Sequence, residues 1–172
     1  MRLAIISDTH MPRGDRALPD ACLERLRAAD AILHAGDLIR LEVLRMLEAL
    51  GPPVHAIHGN VDDRAVRDVL PPARVLELPG GPTVAMIHDA GPAAGRMRRM
   101  RRAFPQADVV VFGHSHIPLH ERGEDGLELF NPGSPTERRR SPVHTMGEGV
   151  LRDGRLELEL ITLDRGRAPD TV

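Results

Sequence analysis

The sequence predicts an α/β fold of four layers, in which two mixed sheets pack face to face and helices cover their outer sides. In the first part of the 172 residues, short apolar runs alternate with segments of helical spacing. The last part contains only strand patterns and turn residues, which is typical of antiparallel pairs. Two packed sheets accommodate both parts, and the length fits one domain. We assign this domain to residues 1–164 and expect a loose tail over residues 165–172.

Strands and helices alternate up to about residue 70. Three apolar runs predict strands buried on both faces: Leu3–Ser7, Ala31–Ala35 and Val54–Ile57. A helix is expected after each strand, and the three helices begin near Pro19, Leu41 and Arg64. Proline is favoured in the first turn of a helix, and the apolar residues that follow Leu41 have helical spacing.

Strands dominate the remainder of the chain. Two strands, a basic helix and a buried strand come first, at Arg74–Leu78, Thr83–Ile87, Pro92–Phe104 and Val109–Phe112. Two strand pairs follow, Leu119–Arg122 with Leu127–Phe130 and Val143–Leu151 with Leu156–Leu163. The dipeptide Asp153-Gly154 predicts a two-residue hairpin turn in the second pair.

Ligand-type side chains follow five of these strands, at the point where each apolar run ends. They are Asp8, His10, Asp37, Asn60, His88, His114 and His116. The carboxyl ends of parallel strands meet at one edge of a sheet, so we expect the seven side chains to converge. Taken singly, Asp and Asn are common turn formers, and a His after a strand often caps a loop. Seven such residues at five strand ends favour one shared site.

The chemistry of these seven side chains indicates a metal centre. Two carboxylates, one amide oxygen and four imidazoles suit Mn, Fe, Co, Ni or Zn, and contain too much nitrogen for Ca or Mg. They are too many for one tetrahedral ion, whereas one shared carboxylate lets them hold two ions. A pair of ions clamps phosphoryl oxygens during in-line attack. The set therefore predicts metal-assisted hydrolysis of a phosphate ester.

The ordered motifs resemble those of the calcineurin-like metallophosphoesterase superfamily. The resemblance is carried by Asp8-Thr9-His10, Gly36-Asp37, Gly59-Asn60-Val61-Asp62, His88 and Gly113-His114-Ser115-His116. The short chain and the loop Asn131-Pro132-Gly133-Ser134 are similar to its small single-domain bacterial and archaeal phosphodiesterases. This resemblance implies that a metal-bound hydroxide hydrolyses phosphodiesters with two divalent ions. Manganese is the first candidate, with Ni, Fe, Co and Zn as alternatives.

The resemblance also implies a role for each side chain. One ion is held by Asp8, His10 and His116, and the other by Asn60, His88 and His114. Asp37 bridges the two ions. The implied catalytic residues are Asp37, Asn60 and His114, and the implied substrate-binding residues are Asn60 and Asp62. The loop from Asn131 to Ser134 supports the cleft.

One position departs from the pattern of many superfamily members. Val61 follows Asn60, where those members carry a His that contacts phosphate and protonates the leaving group. Valine does neither, which puts the hydrolysis of esters with poor leaving groups in doubt. The small phosphodiesterases often lack this His too. His58 and His144 are candidate proton donors in this chain, although a structural role in a loop or strand is the first interpretation of each.

Other polar residues near the motifs have two interpretations each. Asp89, directly after His88, is either a carboxylate that orients a metal-bound imidazole or a turn residue. The run Arg138–Arg140 is either a solvated loop or a contact for phosphate at the mouth of the cleft. Three further histidines lie in or beside strands and are interpreted as structural: His34, His55 and His120.

Composition restricts the class of partner. A net charge of −2 and the absence of Trp and Tyr argue against nucleic acid, because a basic field and stacking platforms are both lacking. No apolar run approaches the length of about 20 residues that a membrane span needs. With one cysteine, we expect a cytoplasmic protein that acts on a small phosphodiester and contacts no membrane. A homodimer, a phosphomonoesterase and a non-catalytic metal-binding scaffold on the same fold stay open, although the complete set of seven ligands favours an enzyme.

Overall fold

The computed structural model describes residues 1–163, and the tail expected over residues 165–172 lies outside them. All the strands and helices that the sequence predicts are present. In chain order the elements are β1 (Arg2–Ile6), α1 (Asp20–Arg27), β2 (Ala31–His34), α2 (Leu41–Glu48), β3 (Val54–Ala56), α3 (Arg64–Val69), β4 (Ala73–Glu77), β5 (Thr83–Ile87), α4 (Arg96–Ala103), β6 (Val109–Val111), β7 (Leu119–Arg122), β8 (Glu128–Asn131), β9 (Thr145–Arg152) and β10 (Arg155–Thr162).

The first sheet has the strand order β10–β9–β1–β2–β3. β1, β2 and β3 run parallel, with Leu3 opposite Ala31 and Ile32 opposite Val54. The hairpin of β9 and β10 continues the sheet in antiparallel pairing. Its turn is the predicted two-residue one, because Asp153 and Gly154 both have the positive φ that such turns require.

The second sheet has the strand order β4–β5–β6–β8–β7. Its three central strands, β5, β6 and β8, run parallel to one another, and the edge strands β4 and β7 are antiparallel. Both sheets are therefore mixed, and each has three parallel strands whose carboxyl ends lie together. Parallel strands buried on both faces have near-continuous apolar sequences, as the Val109–Val111 run of β6 does.

Two boundaries differ from the sequence prediction by more than one residue. The helix expected from Pro92 begins at Arg96, because Gly95 has a φ of 70° and cannot lie within a right-handed helix. The strand expected from Val143 begins at Thr145, because the Ser141 hydroxyl donates to the Val143 carbonyl at 2.8 Å and holds a turn there.

Three apolar clusters separate the layers. Helices α1, α2 and α3 cover the first sheet through Leu26, Leu47 and Val66, and α4 covers the second sheet through Met100. The central cluster lies between the sheets and includes the fully buried Phe130. This is the four-layer sandwich that the sequence predicts. Within residues 1–163, no helix has the length and apolar character needed to span a membrane.

The apolar side chains of β10 belong to the central cluster. Leu156, Leu158 and Leu160 pack against it, while Glu157 and Glu159 lie on the opposite face of the strand and are exposed. The alternation of leucine and glutamate along β10 therefore reflects the packing of one sheet on the other.

Candidate metal centre

The seven ligand-type side chains come from both sheets and meet at one end of the sandwich. His88, after β5 of the second sheet, places Nε2 3.1 Å from Oδ2 of Asp37, after β2 of the first. His116, after β6, places Nε2 3.3 Å from Oδ1 of Asp8, after β1. The convergence expected from the strand ends is therefore present, and it depends on how the two sheets pack.

Five of the seven residues have a left-handed backbone, which is uncommon for residues other than glycine. They are Asp8, His10, Asp37, His114 and His116, with φ between 46° and 68°. Hydrogen bonds between loops hold this conformation. The amide of Asp8 donates to Gly36 O at 2.9 Å, and that of His10 donates to Asp37 O at 3.0 Å. Such backbone strain is typical of functional sites that the surrounding structure enforces.

Two glycines allow the loops to approach one another. A Cβ atom at Gly113 would collide with the Ser7 hydroxyl and the Asp8 carboxylate. A Cβ atom at Gly59 would collide with the Asp37 carboxylate. The glycines of two motifs are therefore required because the carboxylates occupy the space that a side chain would fill.

Asp8, His10 and His116 form a first group of ligands, all of them buried. Nε2 of His116 lies 3.3 Å from Asp8 Oδ1, and Nε2 of His10 lies 3.9 Å from the same oxygen. The two rings meet edge to face, with their centroids 4.9 Å apart. The three ligand atoms lie within 4.8 Å of one another, which is a spacing suited to one ion.

Asn60, His88 and His114 form a second group. Oδ1 of Asn60 lies 3.1 Å from His88 Nε2 and 3.0 Å from His114 Nδ1. His88 is buried, whereas His114 is half-buried and Asn60 is exposed. This group therefore lies at the mouth of the site, and the first group lies deeper.

Asp37 lies between the two groups. Its Oδ2 atom is 3.3 Å from His10 Nε2 in the first group and 3.1 Å from His88 Nε2 in the second. Its other oxygen accepts a hydrogen bond from the Val61 amide at 3.0 Å. This is the position that a bridging carboxylate requires, and the bridging role itself stays a prediction.

The buried charges are strongly coupled. Burial acts to raise the pKa of Asp8 and Asp37, but contacts with His10, His116 and His88 outweigh it and hold both pKa values below the usual range. Burial acts to lower the pKa of His10, but Asp37 and Asp8 raise it to about 9. Two ionised carboxylates therefore lie in a buried site, which favours a cation.

Unpaired nitrogen atoms show that these residues fit a metal ion. Both ring nitrogens of His10 and Nε2 of His116 are buried and have no hydrogen-bond partner among residues 1–163. Buried polar atoms are nearly always satisfied, so orphaned imidazole nitrogens beside carboxylates indicate an absent partner. Imidazole nitrogen with carboxylate oxygen is a donor set that suits borderline divalent ions.

The comparison with known proteins agrees with this geometry. Residues 1–150 match the family model described as the calcineurin-like phosphoesterase superfamily domain. The chain belongs to this superfamily. It is 37% identical over 165 residues to a probable metallophosphoesterase of Methanothermobacter thermautotrophicus, covering 94% of this chain and 92% of the relative.

Two solved structures of lower identity share the fold of this chain. Vps29 from Entamoeba histolytica, in complex with zinc, is 22% identical with a TM-score of 0.74, over 95% of this chain and 100% of that one. A structure described as a novel archaeal phosphodiesterase is 19% identical with a TM-score of 0.68, over 94% of this chain and 100% of that one.

Backbone carbonyls orient two of the histidines in the site. Nδ1 of His88 lies 2.8 Å from Ala35 O, and Nδ1 of His116 lies 2.7 Å from Glu137 O. Asp89 does not take part, because it is exposed and accepts a hydrogen bond from Gly91 N at 2.7 Å. Of the two interpretations of Asp89, the turn residue is therefore the one that the structure supports.

The Asp62 side chain is buried and is not accessible to a substrate. Its side chain is 4% exposed. Its oxygens accept hydrogen bonds from the amides of Asp37 at 3.0 Å, Ile39 at 2.5 Å and Gly59 at 2.6 Å. This placement differs from the substrate-binding role expected from the sequence, because both oxygens are occupied in joining two ligand loops. Asp62 holds the Asp37 loop in place.

The loop after β8 supports the cleft, as expected. The Asn131 amide donates to Gly113 O at 2.8 Å, and the Ser134 hydroxyl donates to Asp8 O at 2.8 Å. Farther along, the exposed Arg139 donates to His114 O at 3.1 Å, which places one of the three arginines beside the mouth. Glu137 pairs with Arg16 behind the first group of ligands, and no motif in the sequence marks either residue.

The alternative proton donors lie in different surroundings. His58 is half-buried, with Nδ1 3.3 Å from the carbonyl of its neighbour Gly59. His144 directly precedes β9, and its carbonyl accepts a hydrogen bond from Leu163 N at 2.9 Å. Val61, in contrast, is 40% exposed next to Asn60 at the mouth.

Proposed function

We propose that this phosphoesterase hydrolyses small phosphodiesters with two divalent ions held by the seven ligand-type residues. The observation that carries this proposal is the position of Asp37, whose Oδ2 atom lies within 3.3 Å of a histidine nitrogen in each group. One shared carboxylate between two nitrogen-rich groups is the arrangement that a dinuclear centre needs.

The two groups of ligands differ in their exposure to solvent, so we assign them different roles. When bound, a pair of ions supplies an activated water and neutralises the charge of the phosphate. Asp8, His10 and His116, being buried, hold their ion away from solvent. The exposed Asn60 and the half-buried His114 face the mouth, so we assign them to the side from which substrate enters. Asn60 offers an amide group to the phosphate as well as an oxygen to the ion.

Positive charge at the mouth favours an anionic substrate. The guanidinium of Arg139 is anchored on His114 O at 3.1 Å and is exposed, so it lies beside the entrance. Arginine binds phosphate oxygens through a planar fork. The likeness in fold to an archaeal phosphodiesterase supports diesters as the first substrate class to test.

The test compares a diester with a monoester. The protein is stripped of metal, supplied with Mn, Ni, Zn or Mg in turn, and assayed on bis(p-nitrophenyl) phosphate and p-nitrophenyl phosphate. We expect metal-dependent turnover that favours the diester, with Mn as the best activator. Preference for the monoester would make the protein a phosphomonoesterase. No turnover by protein that binds two ions would favour the non-catalytic scaffold.

A further inference from the structure

A segment after Ser134 wraps around the loop that carries Asp8 and His10. The Ser134 hydroxyl donates to Asp8 O at 2.8 Å, and the Thr136 hydroxyl donates to Thr9 O at 2.6 Å. The amide of Glu137 donates to the Ser134 hydroxyl at 2.9 Å. These bonds fix the position of Glu137 behind the first group of ligands.

Glu137 faces both histidines of that group from the side opposite the metal site. Its carbonyl oxygen lies 2.7 Å from His116 Nδ1, and its carboxylate Oε2 lies 3.2 Å from His10 Nδ1. The Nε2 atoms of the two rings face the buried carboxylates of Asp8 and Asp37. The Glu137 carbonyl therefore orients the His116 ring through a hydrogen bond, and the Glu137 carboxylate places its negative charge beside His10 Nδ1, which has no hydrogen-bond partner among the described residues.

Arg16 holds the Glu137 carboxylate in place. Its Nη2 donates to Oε1 at 2.9 Å and its Nη1 donates to Oε2 at 3.2 Å, so the pair is bidentate. Both side chains are mostly buried, at 25% and 21% exposed. A bidentate arginine fork restricts the carboxylate more than a single contact does. Arg16 comes from the loop between β1 and α1, so the pair joins two distant parts of the chain.

We propose that Glu137, held by Arg16, is a positioning residue for the ion bound by Asp8, His10 and His116. This inference rests on the proposed function. A negative charge 3.2 Å behind a ligating imidazole increases the basicity of the ring, which strengthens the bond to the metal. In the second group, His88 is oriented by the carbonyl of Ala35, which carries no full charge. Loss of the Glu137 charge therefore weakens one ion site and spares the other.

The experiment measures metal binding directly. The wild type, Glu137→Gln and Arg16→Lys are titrated with Mn²⁺ by calorimetry after metal removal. Glu148→Gln is the matched control, because Glu148 pairs with Arg25 at 2.7 Å on the surface of β9 and is 17% exposed. We expect about 10- to 100-fold weaker binding of one ion in Glu137→Gln, and a smaller loss in Arg16→Lys. The other ion, and both ions in Glu148→Gln, keep wild-type affinity.

A spectroscopic readout separates positioning from general loss of stability. The visible absorption of bound Co²⁺ reports the ligand geometry. We expect it to change in Glu137→Gln and Arg16→Lys and to stay constant in Glu148→Gln.

Unchanged Mn²⁺ affinity and an unchanged Co²⁺ spectrum in folded Glu137→Gln would overturn this inference but not the proposed function. If that variant does not fold, Arg16→Lys decides by the same two readouts. A wild type that binds no metal would overturn the proposed function as well.

Discussion

Asp37 connects the two halves of the metal centre through a single oxygen atom. Oδ2 approaches one histidine of each group, and Oδ1 accepts a hydrogen bond from the Val61 amide. The residue itself adopts a left-handed backbone, with a φ of 61°. Its amide is held by the Asp62 carboxylate. We therefore expect a bridge between two ions to need both the charge and the position of Asp37.

Removing the charge of Asp37 tests the bridge. Asp37→Asn keeps the size of the side chain, so we expect the fold to persist while both ions are lost and activity falls to background. Metal content by mass spectrometry and the diester assay measure the two effects together. Asp89→Asn is the control, because it removes the same charge from an exposed turn residue beside His88. Retention of two ions and of activity by Asp37→Asn would contradict the bridging assignment.

Val61 occupies the position at which a proton donor would face the substrate. It is 40% exposed beside Asn60. We expect Val61→His to raise kcat/KM for alkyl phosphodiesters about tenfold or more, because general acid catalysis assists poor leaving groups. Nitrophenyl esters, whose leaving group needs no proton, should change little. Val61→Gln supplies polarity without an acid, and an equal gain in that variant would exclude proton donation as the cause.

At the scale of elements, the end of β2 is joined to the loop after β1 through His34. The ring is fully buried. Its Nδ1 atom accepts a hydrogen bond from Gly36 N at 3.2 Å, and its Nε2 atom lies 3.1 Å from the Thr9 hydroxyl. Because Nδ1 accepts, the proton of the neutral ring is on Nε2 and is donated to Thr9. His34 is therefore structural, as the sequence indicates.

The buried ring makes stability depend on pH. Burial lowers the pKa of His34 to about 4, against the opposing effect of Asp62 and Asp8. The unfolded chain binds a proton near the usual pKa of about 6.5, so between these values it holds more protons than the folded protein. The free energy of unfolding therefore falls on acidification, by up to about 1.4 kcal/mol per pH unit from this group.

Urea denaturation of the metal-free protein between about pH 4 and pH 6.5 measures this dependence. We expect a shallower slope in His34→Gln, which cannot titrate. Equal slopes in the two proteins would show that His34 binds the same number of protons in the folded and the unfolded state, which would contradict the lowered pKa.

At the scale of the whole molecule, the metal centre depends on the packing of one sheet against the other. Phe130 on β8 is fully buried in the central cluster. A Cβ atom at Gly147 on β9 would collide with its ring, so the absence of a side chain in one sheet accommodates a large one in the other. Because each group takes ligands from both sheets, we expect this contact to affect the distances between the ligands within each group.

Phe130→Ala should weaken both the fold and the centre. Removing a buried Phe costs about 3–5 kcal/mol of unfolding free energy. We also expect weaker Mn²⁺ binding in the folded fraction, because the sheets are then less firmly held. Phe104→Ala, at the half-buried end of α4, is the control with a smaller loss and unchanged metal affinity. Wild-type Mn²⁺ affinity in Phe130→Ala would show that the centre is independent of the central cluster.

The sequence by itself determined the layers and the seven ligand-type residues. Strand and helix periods are local, and polar residues at the ends of apolar runs such as Val109–Val111 are visible without a structure. Only the tertiary structure decided which atoms face one another. Arg16 and Glu137 are 121 residues apart, and Asp62 satisfies amides on two separate loops. Contacts of this kind depend on how the sheets pack and on left-handed backbone at five ligands, neither of which a local pattern encodes.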